Sequence, residues 1–177
     1  SNVYDDWKVI ANGPLRSVFE LAYDKSWKAS GLDVVETKRI TIDLGRRLCR
    51  FESRFKGKDA GQIKVPAIGL STHGGKAESY HNEAGDTIYC WEKIEGSHLG
   101  VAAIAASPVL KAPLATTEKS TGESHIYLFA KESAQPGVVY YAGYGWEKAG
   151  EIETLQEWRE YLDDFRKKEK NPVVIEY

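Results

Sequence analysis

The sequence predicts a mainly β fold, an antiparallel β-sandwich closed by one C-terminal α-helix. Three observations predict it. Side chains alternate with a period of two over most of the chain, glycine-rich turns part the short apolar runs, and one helical stripe appears near the end. The 177 residues suffice for one domain with a real core, read here as residues 3–177. Ser1 and Asn2 read as the remnant of a cleaved purification tag.

Each element has its own reason. Over 15–23, Leu15, Phe19, Leu21 and Tyr23 share one face and Arg16 and Glu20 the other, the pattern of a strand buried on one side. "ETKRITIDLGRRLCRFESRF" (36–55) holds two alternating runs around Gly45, a hairpin signal because glycine supplies the positive φ of a tight turn. Ile40, Ile42 and Leu44 face one way on the first run, and Cys49, Phe51 and Phe55 on the second. Further strands are expected over 63–70, 87–92, 99–106, 125–130 and 138–144, with a long surface loop over 109–122. Thr154 and Glu157 form a capping box, and Trp158, Tyr161, Leu162 and Phe165 follow at helical spacing. Lys167, Lys168 and Lys170 suit the negative end of the helix dipole, Asn171-Pro172 stops the helix, and "VVIEY" reads as a final strand.

Composition excludes several function classes. A net charge of -2, without a dense lysine and arginine run, argues against nucleic acid as a partner. No apolar stretch is long enough to span a bilayer as a helix. The absence of methionine fits a mature exported chain or a segment of something longer. The two cysteines, Cys49 and Cys90, read as core thiols, or as a disulfide between adjacent strands in an oxidising compartment.

Chemistry-bearing residues gather in "STHGGKAESYHNEAGDTIYCWEKIEGSHLG" (71–100), which holds His73, His81 and His98 with Glu92 between them. Zinc sites favour close ligand pairs on one element, and glycines interrupt these gaps, so no metal is expected. Acid–base work needs only a histidine and a carboxylate meeting across a pocket, which separate strands can supply. His73, His98 and Glu92 are therefore the catalytic candidates. The plain alternative for each is a solvated loop residue, and His81 is read that way.

Arg39 and Arg50 lie on the polar sides of the hairpin strands. They either make ordinary cross-strand charge pairs or bind the carboxylate of an acidic sugar with their paired donors. Tyr144 and Trp146, in "VVYYAGYGWEKAG", either stack on a sugar or fill the core near Trp158. The sequence has no nucleophile elbow, no phosphate-binding loop and no dinucleotide fingerprint, so no cofactor is expected.

The stretches "NGPLRSVFELAYD", "ETKRITIDLGRRLCRFES" and "YYAGYGWEKAGEIETLQEWREYL" resemble a bacterial family filed as a domain of unknown function, the four-eight-six-one group. The similarity covers most of 13–177. It implies a galactose-mutarotase-like β-sandwich, or part of one, exported to the periplasm or outside the cell by bacteria that digest pectin and other uronic-acid polymers. Family members are typically longer, so the chain is also read as the C-terminal part of a longer family domain, with the missing N-terminal part as its partner. Histidines often occur in such sandwiches where "THGGK" lies, which favours His73. Two readings remain: a carbohydrate-active enzyme (epimerase- or mutarotase-like, lyase or hydrolase), or a non-catalytic carbohydrate-binding or structural module of a larger enzyme.

Overall fold

The computed structural model describes residues 3–29, 31–110, 113–116, 124–131 and 136–172. Eleven antiparallel strands form two sheets, and one helix flanks the larger. In chain order the strands are β1 (Asp6–Asn12), β2 (Arg16–Ala29), β3 (Leu32–Asp43), β4 (Leu48–Lys56), β5 (Ala67–Ser71), β6 (Glu78–His81), β7 (Thr87–Ile94), β8 (Ser97–Ala105), β9 (Leu114–Ala115), β10 (His125–Phe129) and β11 (Gly137–Trp146). Helix α1 (Leu155–Lys170) follows. The large sheet has the order β1-β2-β3-β4-β11-β8-β7-β6, and the small one β5-β10-β9.

The alternating segments form strands as expected, and Gly45 turns the β3–β4 hairpin at φ 78°. Three strands go beyond the sequence reading. β1 has exposed residues on both faces, β6 is short, and β9 lies within the expected loop. The strand expected from residue 63 begins only at Ala67, directly after Pro66, which has no N–H to give a ladder. The expected strand at 173–177 lies outside the described residues, as do residues 1–2.

Helix α1 starts as its sequence dictates. The Thr154 side chain accepts from Glu157 N, and the Glu157 carboxylate accepts from Thr154 N. Its apolar stripe packs on one face of the large sheet, where Trp158, Leu162 and Phe165 meet Leu48, Tyr89, Trp91, Ala102, Ile104 and Tyr141. Two glycines make the seat. A Cβ on Gly100 would lie 2.7 Å from the Trp158 ring, and one on Gly145 would lie 3.0 Å from it. The other face of the sheet packs against the small sheet, through Ile88, Cys90, Ala103, Ala105 and Val138 against Ile68, Ile126 and Leu128. The two faces are called here the helix face and the inner face.

A polar cluster ties the far end of α1 down. The buried carboxylate of Asp86, at the start of β7, accepts from Arg166 Nε at 2.7 and 2.9 Å, Lys170 Nζ at 2.7 Å and Asn82 Nδ2 at 2.7 Å. Burial alone would push its pKa up. Bonds from Lys170, Asn82 and Arg166 outweigh burial and hold it at about 2.

Trp158→Ala costs about 3–5 kcal/mol in urea unfolding, and Gly100→Ala about 1–3 kcal/mol because the new methyl meets the indole. Asp86 is depressed in the fold, so its contribution is complete above the unfolded carboxylate pKa near pH 4 and lost as pH falls through about 2. Denaturation measured between those values shows an acid limb of up to about 2 kcal/mol, which Asp86→Asn flattens.

Candidate functional site

Strand pairing decides which side chains share a surface. Glu92 on β7 lies opposite Leu99 on β8, and Leu99 lies opposite Trp146 on β11. These three residues form one row on the inner face. Val101 and Tyr144 form the row beside it. Two strand spacings, about 10 Å, separate Glu92 from Trp146 along the sheet. Tyr144 is 59% exposed and Trp146 43%, on the face opposite Trp158, so neither fills the core around that residue. Lys148 Nζ lies 5.7 Å from the centre of the Trp146 ring.

His73 joins this group from the loop after β5. Its Nδ1 lies 2.6 Å from Glu92 Oε2. The Glu92 side chain is only 13% exposed and the His73 side chain 50%. Carboxylate oxygen accepts Nδ1–H, which leaves Nε2 as the ring's other acid–base nitrogen. The loop holds the histidine in an unusual backbone conformation. His73 has φ 49°, and Gly74 and Gly75 follow at 72° and 81°. Left-handed backbone costs a non-glycine residue about 1–2 kcal/mol. Local bonds hold it there: His73 N donates to Ser71 Oγ at 3.2 Å, Gly74 N to the fully buried Ser124 Oγ at 2.5 Å, and Gly75 N to Thr72 O at 2.9 Å.

The remaining candidates lie on the helix face. His98 stacks on Trp91 with ring centres 5.5 Å apart. Its Nδ1 lies 2.9 Å from Glu147 Oε2, and its backbone N–H donates to the same oxygen at 2.5 Å. The backbone bond, then the ring bond, holds the Glu147 carboxyl below its usual range. This contact ties the start of β8 to the turn after β11. Arg39 bonds Glu20 at 2.7 and 2.8 Å, and Lys8 reaches the same carboxylate at 2.8 Å. Arg50 pairs with Glu52 at 2.6 Å. The Glu20 contacts are the cross-strand charge pairs of a wet sheet face, and Arg50–Glu52 is a pair within β4. His81 bonds the carbonyl of Asn82 at 3.0 Å.

Both thiols are free. Three strand spacings, about 14 Å, separate the two cysteines on the inner face, well beyond disulfide reach. Burial, and then the Glu92 carboxylate, push the Cys90 thiol up to about 12, so it is no nucleophile.

Sequence reasoning missed the Asp86–Arg166–Lys170 cluster and the Phe51–Tyr140 stack, whose ring centres lie 5.0 Å apart. The meeting of Phe51 and Tyr140 depends on β4 pairing with β11. No group of three or more metal-type ligands occurs among the described residues.

The fold is therefore an antiparallel two-sheet protein with a helix packed on one side. The sequence profile described as Domain of unknown function (DUF4861) matches residues 1–175, and the chain belongs to this family. It is similar to Uncharacterized protein P7 of Formosa agariphila, with 30% identity over 176 residues. That match covers 99% of this chain and 43% of the relative, so the chain spans less than half of the curated relative's length. No solved structure matches it.

The thiol geometry has a direct readout. Intact mass does not change on reduction, and Cys90 reacts with a thiol reagent only after unfolding, whereas half-buried Cys49 reacts slowly in the native protein.

Proposed function

We propose that this chain handles sugars on the inner face of its large sheet, as part of a bacterial system that takes apart polysaccharides outside the cytoplasm. The observation that supports this reading is one shared surface. The His73–Glu92 pair and the exposed rings of Tyr144 and Trp146 stand on the same side of the same sheet end. The rings offer a flat apolar platform with polar tips, suited to the C–H face of a sugar. Leu99 gives the ground between platform and pair an apolar floor.

In this reading His73 and Glu92 act as one proton-transfer unit. Nε2 of His73 takes and returns the proton of a bound sugar, while Glu92 orients the ring and balances the charge that forms on it. Epimerase- or mutarotase-like proton transfer suits a single histidine–carboxylate pair. Glycoside hydrolysis asks for two carboxyl groups flanking the bond. Elimination from a uronic acid asks for a cation on the substrate carboxylate. Arg39 and Arg50 are engaged with glutamates on the other face, so Lys148, beside Trp146, is the cation nearest the aromatic platform.

A second reading, a non-catalytic sugar-binding module, draws on the openness of the same surface: Tyr144 and Trp146 lie bare on the sheet, as a binding platform needs. Incubation with saturated and unsaturated galacturonide oligomers, followed by mass spectrometry and NMR of the anomeric protons, separates the two. The enzyme reading expects chemical change that His73→Ala abolishes, with Tm held within about 2 °C. Both readings expect Trp146→Ala to weaken binding roughly tenfold. Binding without chemical change, indifferent to His73, selects the module. Absence of any binding removes both.

A further inference from the structure

The inner face of the large sheet is apolar well beyond the reach of the small sheet. One row of directly paired residues crosses six strands: Val9, Phe19, Ile40, Phe51, Tyr140 and Ala105. Ala105 is buried in the core between the sheets, Tyr140, Phe51 and Phe19 are half-buried, Ile40 is buried among its neighbours in the row, and Val9 at the end is 57% exposed. In the next row Trp7, paired with Leu21, is 60% exposed. Single exposed apolar side chains are ordinary on a protein surface. A run of them continuous with a core marks a contact surface.

Among the described residues the cover stops at β5. This strand pairs with β10 on one side and, among the described residues, with no strand on the other. A cleft of about 520 Å³ separates it from the bare half of the sheet, with Val65 and Leu70 on one wall and Lys38 and Phe51 on the other. Edge strands are normally blunted by charge or by a bulge. The sequence of β5, Ala-Ile-Gly-Leu-Ser, carries no charge, and its register with β10 is unbroken.

We infer that β5 is a docking edge. A strand from a further part of the same, longer polypeptide pairs with it and extends the small sheet over Phe51, Ile40, Phe19 and Trp7. Three observations select this occupant. The open edge borders the bare face, so one added sheet satisfies both. The apolar row is continuous with the existing inter-sheet core, so the added layer extends an interface already formed. The relative from Formosa agariphila carries more than half its length outside the matched region, ample for such a layer. A second copy of the chain fits poorly, because its small sheet is already seated on its own large sheet. The inference stands apart from the sugar reading: the bare rows and the His73–Glu92 pair lie on different parts of the sheet.

Hydrogen exchange read by mass spectrometry tests it on two samples, the 177-residue chain and the whole polypeptide encoded by its gene. Amides of β1, β2 and β5 are expected to exchange at least tenfold more slowly in the whole polypeptide. Val9→Lys, at an already exposed position, leaves the Tm of the 177-residue chain within about 2 °C and lowers that of the whole polypeptide by several degrees. Equal exchange and equal Tm changes in both samples overturn the inference. So does protection of the 177-residue chain that rises with its concentration, which identifies a second copy as the cover. A gene product without further strand-forming sequence overturns it as well.

Discussion

An eight-stranded sheet has two broad faces to keep dry, and the described residues cover each of them only in part. On one face the cover is α1, seated where Gly100 and Gly145 leave room for Trp158. On the other it is the three-stranded sheet around Ile68, Ile126 and Leu128. Both covers sit over the same strands, β11, β8 and β7, which therefore carry the core. Burial of apolar surface is the dominant favourable term in folding, so this doubly covered region is the stable centre of the molecule. The β1–β3 region hangs from it through β4.

The candidate site takes its position from that centre. Glu92 and Trp146 belong to strands that the core holds rigid, and the His73 loop is fixed to the small sheet through Ser124. Side chains on such elements keep their spacing better than side chains on free loops. The left-handed conformation at His73 costs energy that its neighbours' hydrogen bonds offset. Strain of this kind tends to persist where the geometry serves a purpose.

The helix face tells a different story with similar residues. His98, Arg39 and Arg50 are each engaged with a glutamate, in a turn, across strands and along one strand respectively. Such pairs contribute modestly to sheet stability and set register more than affinity. The same residue types form the candidate site on one face and charge pairs on the other. What separates them is company: exposed aromatic rings on the same sheet face as His73, and saturated charge partners around the arginines.

Local patterns in the sequence were enough for the β class, the hairpin at Gly45, the capping box at Thr154 and the shared face of Ile40, Cys49, Phe51 and Phe55, whereas Ile42 and Leu44, expected to face with Ile40, are exposed near the turn. Each depends on near neighbours in the chain, through side-chain alternation, a positive φ or a side-chain cap. Strand β1 was not legible, because its alternation leads to no burial. The grouping of His73 with Glu92 and Trp146, and the removal of His98 to the far side, belonged to the tertiary structure alone. Alternation says which residues of one strand face together. It does not say which face of a distant strand they join, and a one-residue change in pairing would reverse the answer. Only the long-range register of β7, β8 and β11 determines that.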